Sequence, residues 1–280
     1  MAKLVESKCI APFLRWTGSK RWFTKKYIEE FMPERFHDYH EPFLGAGAVF
    51  FHLSNQLFEK KQYYLSDSND DLINVYTQIR DNPYSVIQEL KQFKNTEKDY
   101  YNIRSCNFES PHLKAARFIY LNRTSFNGIY RVNSSGLYNV PYGKRVKVDH
   151  VTEQLLLNVS DRLQNVHISA HGFEESIINI KKGDLVFLDP PYTVAHENNG
   201  FIEYNQQLFA WEDQERLKNY IIRLNQIGAH FILTNASHWS IVNLYEEIGS
   251  MTKLSRSSQV GGRNKTRGMY NELIISNTKI

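Results

Sequence analysis

Asp189-Pro190-Pro191-Tyr192 brings together a carboxylate, a carbonyl that cannot swing away and an aromatic face. Pro191 lacks the N–H that a continuing strand needs, and the two prolines fix the backbone, so these residues form a rigid turn. The preceding Leu185-Val186-Phe187-Leu188 is short and apolar and follows Lys182-Gly183-Asp184, the pattern of a buried parallel strand. The turn therefore falls at the carboxyl end of a strand, where open α/β sheets bind ligands. An amino group on a planar ring would find two acceptors there, Asp189 and the Pro190 carbonyl, with Tyr192 to stack on. A strand end with a capping acid and a surface tyrosine is the plainer reading of the same four residues.

A second constellation lies upstream. His40-Glu41-Pro42-Phe43-Leu44-Gly45-Ala46-Gly47 reads as a strand and a glycine turn opening a helix, in which the backbone can approach a ligand closely. A dinucleotide site asks for a third small residue three positions on, where Phe50 stands, so close approach is expected without a pyrophosphate. Tyr63-Tyr64-Leu65-Ser66-Asp67 then reads as a second strand ending in an acid, the usual acceptor of two ribose hydroxyls.

The chain carries a net charge of +4, unevenly spread. Between Lys114 and Lys147 stand seven basic residues and no acidic one, interleaved with Phe118, Tyr120, Phe126, Tyr130, Tyr138 and Tyr142 and with Asn122, Asn127, Asn133 and Asn139. Cations suit phosphates, and amides and guanidinium groups suit base edges, so nucleic acid is the expected partner.

These features must be positioned by alternating strands and helices. Beyond the strands already named, Val166–Ala170, Ala229–Thr234, Thr252–Ser257 and Asn271–Ser276 are expected strands; helices are expected over Arg21–Phe31, through Arg80, over Leu113–Asn122, over Gln207–Gln226 up to Gly228, and over Trp239–Ile248. Asn95–Tyr101 is polar, and Ile129–Tyr142 suggests a hairpin around Asn133-Ser134-Ser135-Gly136. Residues 81–148 break the alternation and read as an insertion between 1–80 and 149–280. Aromatic content of 14% and charged content of 23% mark a globular chain. No run approaches a membrane span, and Met1-Ala2-Lys3-Leu4-Val5-Glu6 lacks a signal-peptide core, so a cytoplasmic protein is expected. The 2 cysteines have no metal-ligand spacing, and no metal is expected.

Taken in order, Phe13–Lys20, Glu41–Phe51, Ser66–Asn74, Leu121–Gly143 and Asp189–Tyr192 resemble the motifs of the Dam-like adenine-N6 DNA methyltransferases (D12 class, alpha group). Leu121-Asn122-Arg123-Thr124-Ser125-Phe126-Asn127-Gly128-Ile129-Tyr130-Arg131 with Asn139-Val140-Pro141-Tyr142-Gly143 carries most of that similarity. The resemblance implies a Rossmann-like α/β sheet, mostly parallel with an antiparallel last strand, and a largely helical target-recognition insertion. It implies S-adenosyl-L-methionine (SAM) as methyl donor and double-stranded DNA as substrate. It sets Trp16 and Lys20 against the methionine moiety, Phe43, Gly45 and Gly47 beside the cofactor, Asp67 on the ribose and Phe173 by the adenine. Gly172 stands where the family usually has an acid, a departure that bears on a side-chain contact to that adenine and not on the site itself. Asp189, Pro190, Pro191 and Tyr192 are the implied catalytic turn, with Asp189 also beside the cofactor. Phe126, Asn127, Arg131 and Pro141 are implied DNA readers, supported by Arg15, and Lys144 and Arg145 match hairpin positions that touch DNA.

Arg131 and Pro141 match members that read GATC, whereas Asn199–Tyr204 differs from the housekeeping type, so GATC and another short adenine-containing site both stay open. A loop from Thr193 to Phe201 could close over a flipped base, and the basic Gly261–Gly268 loop suits a hairpin tip or a phosphate contact equally. A cognate restriction endonuclease, not physically associated, and a monomer or weak dimer complete the expectations. Cytosine-N4 methylation, a catalytically silent DNA-binding relative and a nicotinamide oxidoreductase are the rival readings; Asp189 favours adenine over cytosine, whose enzymes usually carry Ser there.

Overall fold

The computed structural model describes residues 9–57, 61–144, 151–193, 209–257 and 269–278. Arg145, the Gly261–Gly268 loop and the 193–201 loop beyond Thr193 lie outside the described residues. The strands are β1 (Tyr39–Glu41), β2 (Tyr63–Asp67), β3 (Val166–Ala170), β4 (Leu185–Leu188), β5 (His230–Ala236), β6 (Ser250–Ser257) and β7 (Met269–Ser276). They order as β3-β2-β1-β4-β5-β7-β6 in a seven-stranded sheet, and β7 runs antiparallel to both β5 and β6. This is the mostly parallel α/β sheet expected from the sequence. Two compact units make up the chain, residues 1–27 with 44–171, and residues 28–43 with 172–280.

In the first unit β2 pairs with β3 from Tyr63↔Val166 to Asp67↔Ala170. Its helices are α1 (Arg21–Lys26), α3 (Ala48–Leu57), α4 (Asp70–Asp81), α5 (Pro83–Gln92), α6 (Glu97–Ser105), α7 (Pro111–Thr124) and α8 (Glu153–Leu163), with α2 (Ile28–Phe31) belonging to the second unit. Asn69 caps α4 by accepting from the Leu72 N–H, and α4 packs against α7 and α8. The polar 95–101 stretch contributes to a helix, because Thr96 accepts from the Asp99 N–H and caps α6. The expected hairpin is not a pair of regular strands: single bridges join Val132 to Tyr138 and Ser125 to Tyr142. Asn133 Oδ1 takes the N–H groups of Ser135 and Leu137, so a side chain replaces part of the ladder.

In the second unit β4 is buried along its whole length and pairs in parallel with β1 and β5. Buried His40 Nε2 lies 3.0 Å from buried Asp184 Oδ2, tying β1 to the start of β4. Helices α9 (Trp211–Ile227) and α10 (Trp239–Tyr245) complete this unit, and Leu217, Tyr220, Ile221 and Leu224 of α9 share a core with Val186, Leu188, Phe231 and Leu233. Helix α9 ends at Gly228 as expected. The single helix expected over 21–31 is broken at Tyr27. Phe23 and Ile28 are both fully buried but five residues apart, about 140° around a helix, so one straight helix would not turn both inward. Among the described residues, no helix is long and apolar enough to cross a membrane.

Candidate active site

Asp189 leaves the end of β4 and accepts a 2.7 Å hydrogen bond on Oδ1 from the hydroxyl of Thr234, in β5. The parallel register Leu188↔Leu233 puts Thr234 beside it. Pro190 is buried, while Asp189, Pro191 and Tyr192 are half-buried. The Tyr192 phenol donates to Glu272 Oε2 of β7 at 2.5 Å. Behind the turn, Thr193 donates to the Phe209 carbonyl and accepts from Gln214 Nε2 of α9, and Gln214 Oε1 accepts from Asn235 Nδ2 and the Tyr245 phenol. Thr193, Gln214, Asn235 and Tyr245 are all buried, so the turn is backed by a hydrogen-bonded network rather than an apolar wall.

Phe43 and Phe173 also come together in this unit, with near-parallel rings 5.3 Å apart, and Phe209 meets Phe43 edge-on at 5.8 Å. Glu174 pairs with Arg216, whose guanidinium lies 5.6 Å over the Phe173 ring, and Glu175 accepts from the Gly172 N–H. The two acids beside Phe173 are thus engaged within the protein.

The first unit holds the glycine turn. Gly45 donates its N–H to Asp67 Oδ2 and Asn69 donates to Oδ1, each at 3.0 Å. Burial pushes the Asp67 carboxyl above its ordinary value, and backbone N–H groups of Gly45, Asn69 and Ser68 only partly offset that. Gly45 has φ of +48°, and a Cβ there would stand 2.9 Å from the Trp16 indole, so no other residue fits under that ring. Trp16 in turn stacks on Tyr130 at 5.7 Å. Lys20 is buried and donates to the Gly18 carbonyl, and Gly47 donates its N–H to Leu44 at the start of α3. A bare backbone beside an indole, next to a carboxylate with two oriented oxygens, suits a ligand with hydroxyl donors. Among the described residues, no group of three or more His, Cys, Asp and Glu could hold a metal ion.

The basic, aromatic stretch in the same unit divides sharply. Phe126, Asn127, Arg131, Pro141 and Lys144 are exposed. Phe118 and Tyr120 are buried, and the Tyr100, Tyr120 and Leu121 cluster is a small core of its own. Of the amides expected to read bases, Asn122 is 1% exposed and hydrogen-bonds Arg15 N, Arg15 O and Gly128 O, while Asn139 accepts from Arg131 Nε. Arg117 gives its donors to the carbonyls of Ile103 and Arg104 at the end of α6. Asn122 and Arg117 therefore build the scaffold: the amide is buried and must be satisfied internally, and the half-buried guanidinium closes the end of α6. Arg15 lies across Gly128, where a Cβ would come within 2.7 Å of its side chain. The sequence did not point to Thr234, Gln214, Asn235 or Glu272; for Thr234, Asn235 and Glu272 a polar residue inside an apolar strand was the available signal, and for Gln214, in helix α9, there was none.

A family model for the D12 class N6 adenine-specific DNA methyltransferases matches residues 16–259. The Type II methyltransferase M1.LlaDCHI of Lactococcus lactis subsp. cremoris is 34% identical over 278 residues, covering 96% of this chain and 95% of the relative. The Type II methyltransferase M.MjaIII of Methanocaldococcus jannaschii is 32% identical, covering 96% of this chain and 99% of the relative. A DNA adenine methylase of Vibrio cholerae serotype O1 is 28% identical, covering 94% of each.

Proposed function

The chain belongs to the D12 class N6 adenine-specific DNA methyltransferases, and from that premise we propose which of its residues carry the transfer. It methylates the N6 amine of adenine in DNA. The observation that carries the assignment is the Asp189 carboxylate, pinned by Thr234 at the end of β4.

The exocyclic amine of adenine is a weak nucleophile because its lone pair is delocalised into the ring. Donating its two N–H groups to the Asp189 carboxylate and the Pro190 carbonyl localises that pair and aims it. Positioning and preorganised electrostatics then suffice for direct displacement, in which the nitrogen–methyl bond forms as the sulfur–methyl bond breaks, a neutral thioether leaves and the amine gives up one proton to solvent. SAM supplies an electrophilic methyl group on a sulfonium centre. Trp16, Lys20, Gly45, Gly47 and Asp67 would hold this donor, with Asp67 toward the ribose hydroxyls, and Phe43 and Phe173 would give ring surface to its adenine. Tyr192 stacks on the target base, which must leave the duplex to reach it.

Residues 81–148 serve as the recognition insertion on double-stranded DNA. The exposure of Phe126, Asn127, Arg131, Pro141 and Lys144, against the burial around them, supports that reading. Arg15 supports these readers from across Gly128. The target is GATC or another short adenine-containing site. The names of two relatives favour type II modification. With it go, as part of the proposal, a cognate endonuclease that is not physically associated, a cytoplasmic location and a monomer or weak dimer.

Expression in a methylation-free bacterial host, followed by modification-sensitive long-read sequencing, tests this. N6-methyladenine at one recurring motif is expected. N4-methylcytosine would overturn the role of Asp189, and no mark from soluble, SAM-binding protein would overturn the proposal as a whole.

A further inference from the structure

We propose that Glu272 is a positioning residue for methyl transfer, holding the Tyr192 ring by its phenol and feeding electron density into the face that meets the target adenine. This rests on the reading of Tyr192 given above. Glu272 is fully buried on β7, opposite Ala236 of β5, and is followed by buried Leu273, Ile274 and Ile275. A carboxylate at such a strand position is costly to desolvate, and an aliphatic side chain would serve the core better. Its partner is 80 residues away in sequence, so the pairing exists only because the sheet brings β7 to the catalytic turn.

A phenol donating to a carboxylate makes a short, charge-assisted hydrogen bond, stronger than a neutral one. That bond fixes the ring plane, which a half-buried tyrosine following two prolines would otherwise share between rotamers. It also draws the phenol toward phenolate character and enriches the ring face. As the amine takes the methyl group, positive charge develops on the base, and an electron-rich face beside it is favourable. Asp189 and Glu272 then have separate tasks, one on the amine and one on the ring beneath it.

Glu272→Gln keeps an acceptor for the phenol and removes the charge; Glu272→Ala removes both. Methyl transfer from tritiated SAM to unmethylated bacterial genomic DNA is expected to fall about tenfold in kcat for Glu272→Gln and about 100-fold for Glu272→Ala, with KM for SAM within about twofold. Tyr192→Phe combined with Glu272→Gln should be no slower than Tyr192→Phe alone. With 3-fluorotyrosine placed at position 192, the ¹⁹F titration of the phenol should move to lower pH in Glu272→Gln, because a neighbouring carboxylate disfavours the phenolate. Wild-type kcat in both Glu272 variants would overturn the proposal, as would a lowered melting temperature with kcat and the fluorine titration unchanged. If the wild type transfers no methyl group while the fluorine titration still responds to Glu272, the functional assignment fails and the pairing stands.

Discussion

Asp67 and Asp189 both stand where a parallel strand ends, at β2 and β4, yet they are held in opposite ways. Asp67 takes backbone N–H groups from Asn69, two residues on, and from Gly45 in the preceding glycine turn. Asp189 takes a side-chain hydroxyl from Thr234 on the neighbouring strand, and the tyrosine three residues on is tied to β7. Backbone donors suit a carboxylate that must keep one geometry for a bound ligand. A hydroxyl from an adjacent strand suits one that must point at a reacting amine, because the rigid sheet, not a loop, sets its angle. On the proposed reading, the difference separates a residue that binds from a residue that orients chemistry.

The largest effect expected is at Asp189. Asp189→Ala should reduce transfer on the order of 100- to 1,000-fold while SAM affinity measured by calorimetry changes little. Residual activity above about 3% of wild type would place Asp189 with the binding residues and erase the contrast. Gly45→Ala should act on the opposite side of it. The left-handed φ and the Trp16 indole leave a methyl group nowhere to go, so a stability loss of about 1 to 3 kcal/mol and weaker SAM binding are expected in thermal melts and calorimetry. An unchanged melting temperature would show that Trp16 yields and that the turn is not fixed by it.

Thr234→Val sharpens the contrast further, since it keeps shape and removes only the hydroxyl. A loss of about tenfold in kcat, with KM for SAM unmoved, is expected from one hydrogen bond taken from a half-buried carboxylate. A change confined to KM would show that Thr234 serves binding instead.

The same contrast explains what could be read in advance. Asp67 and the glycine turn were legible because their partners lie close in sequence and their spacing is that of a strand, a turn and a helix. The Asp189 turn was legible by composition, but Thr234 and Glu272 were not. Their partners are 45 and 80 residues away, and only the strand order β4-β5-β7 brings them together. Composition misled in the recognition stretch for a related reason. Asn122 and Arg117 look like base and phosphate contacts, but a small, largely helical scaffold needs side-chain donors to close its own turns, and they supply them. Exposure, not residue type, separated Phe126 and Arg131 from Phe118 and Tyr120.

The smallest predicted effect is the pH dependence at Asp67. Burial raises its carboxyl pKa in the folded protein above the unfolded value. A group raised in this way contributes stability that is present below the unfolded pKa and is lost as pH rises through the folded one. Thermal melts of the wild type and Asp67→Asn from about pH 4 to about pH 7 should therefore show the wild type losing ground to the variant as pH rises. SAM binding should run the other way, tightening with rising pH in the wild type, because ribose hydroxyls donate best to the ionised carboxylate. In Asp67→Asn that pH dependence should vanish. If instead the wild type gained stability on the variant with rising pH, the backbone N–H groups of Gly45 and Asn69 would outweigh burial, and Asp67 would be a structural anchor of the turn whether or not a ligand is bound.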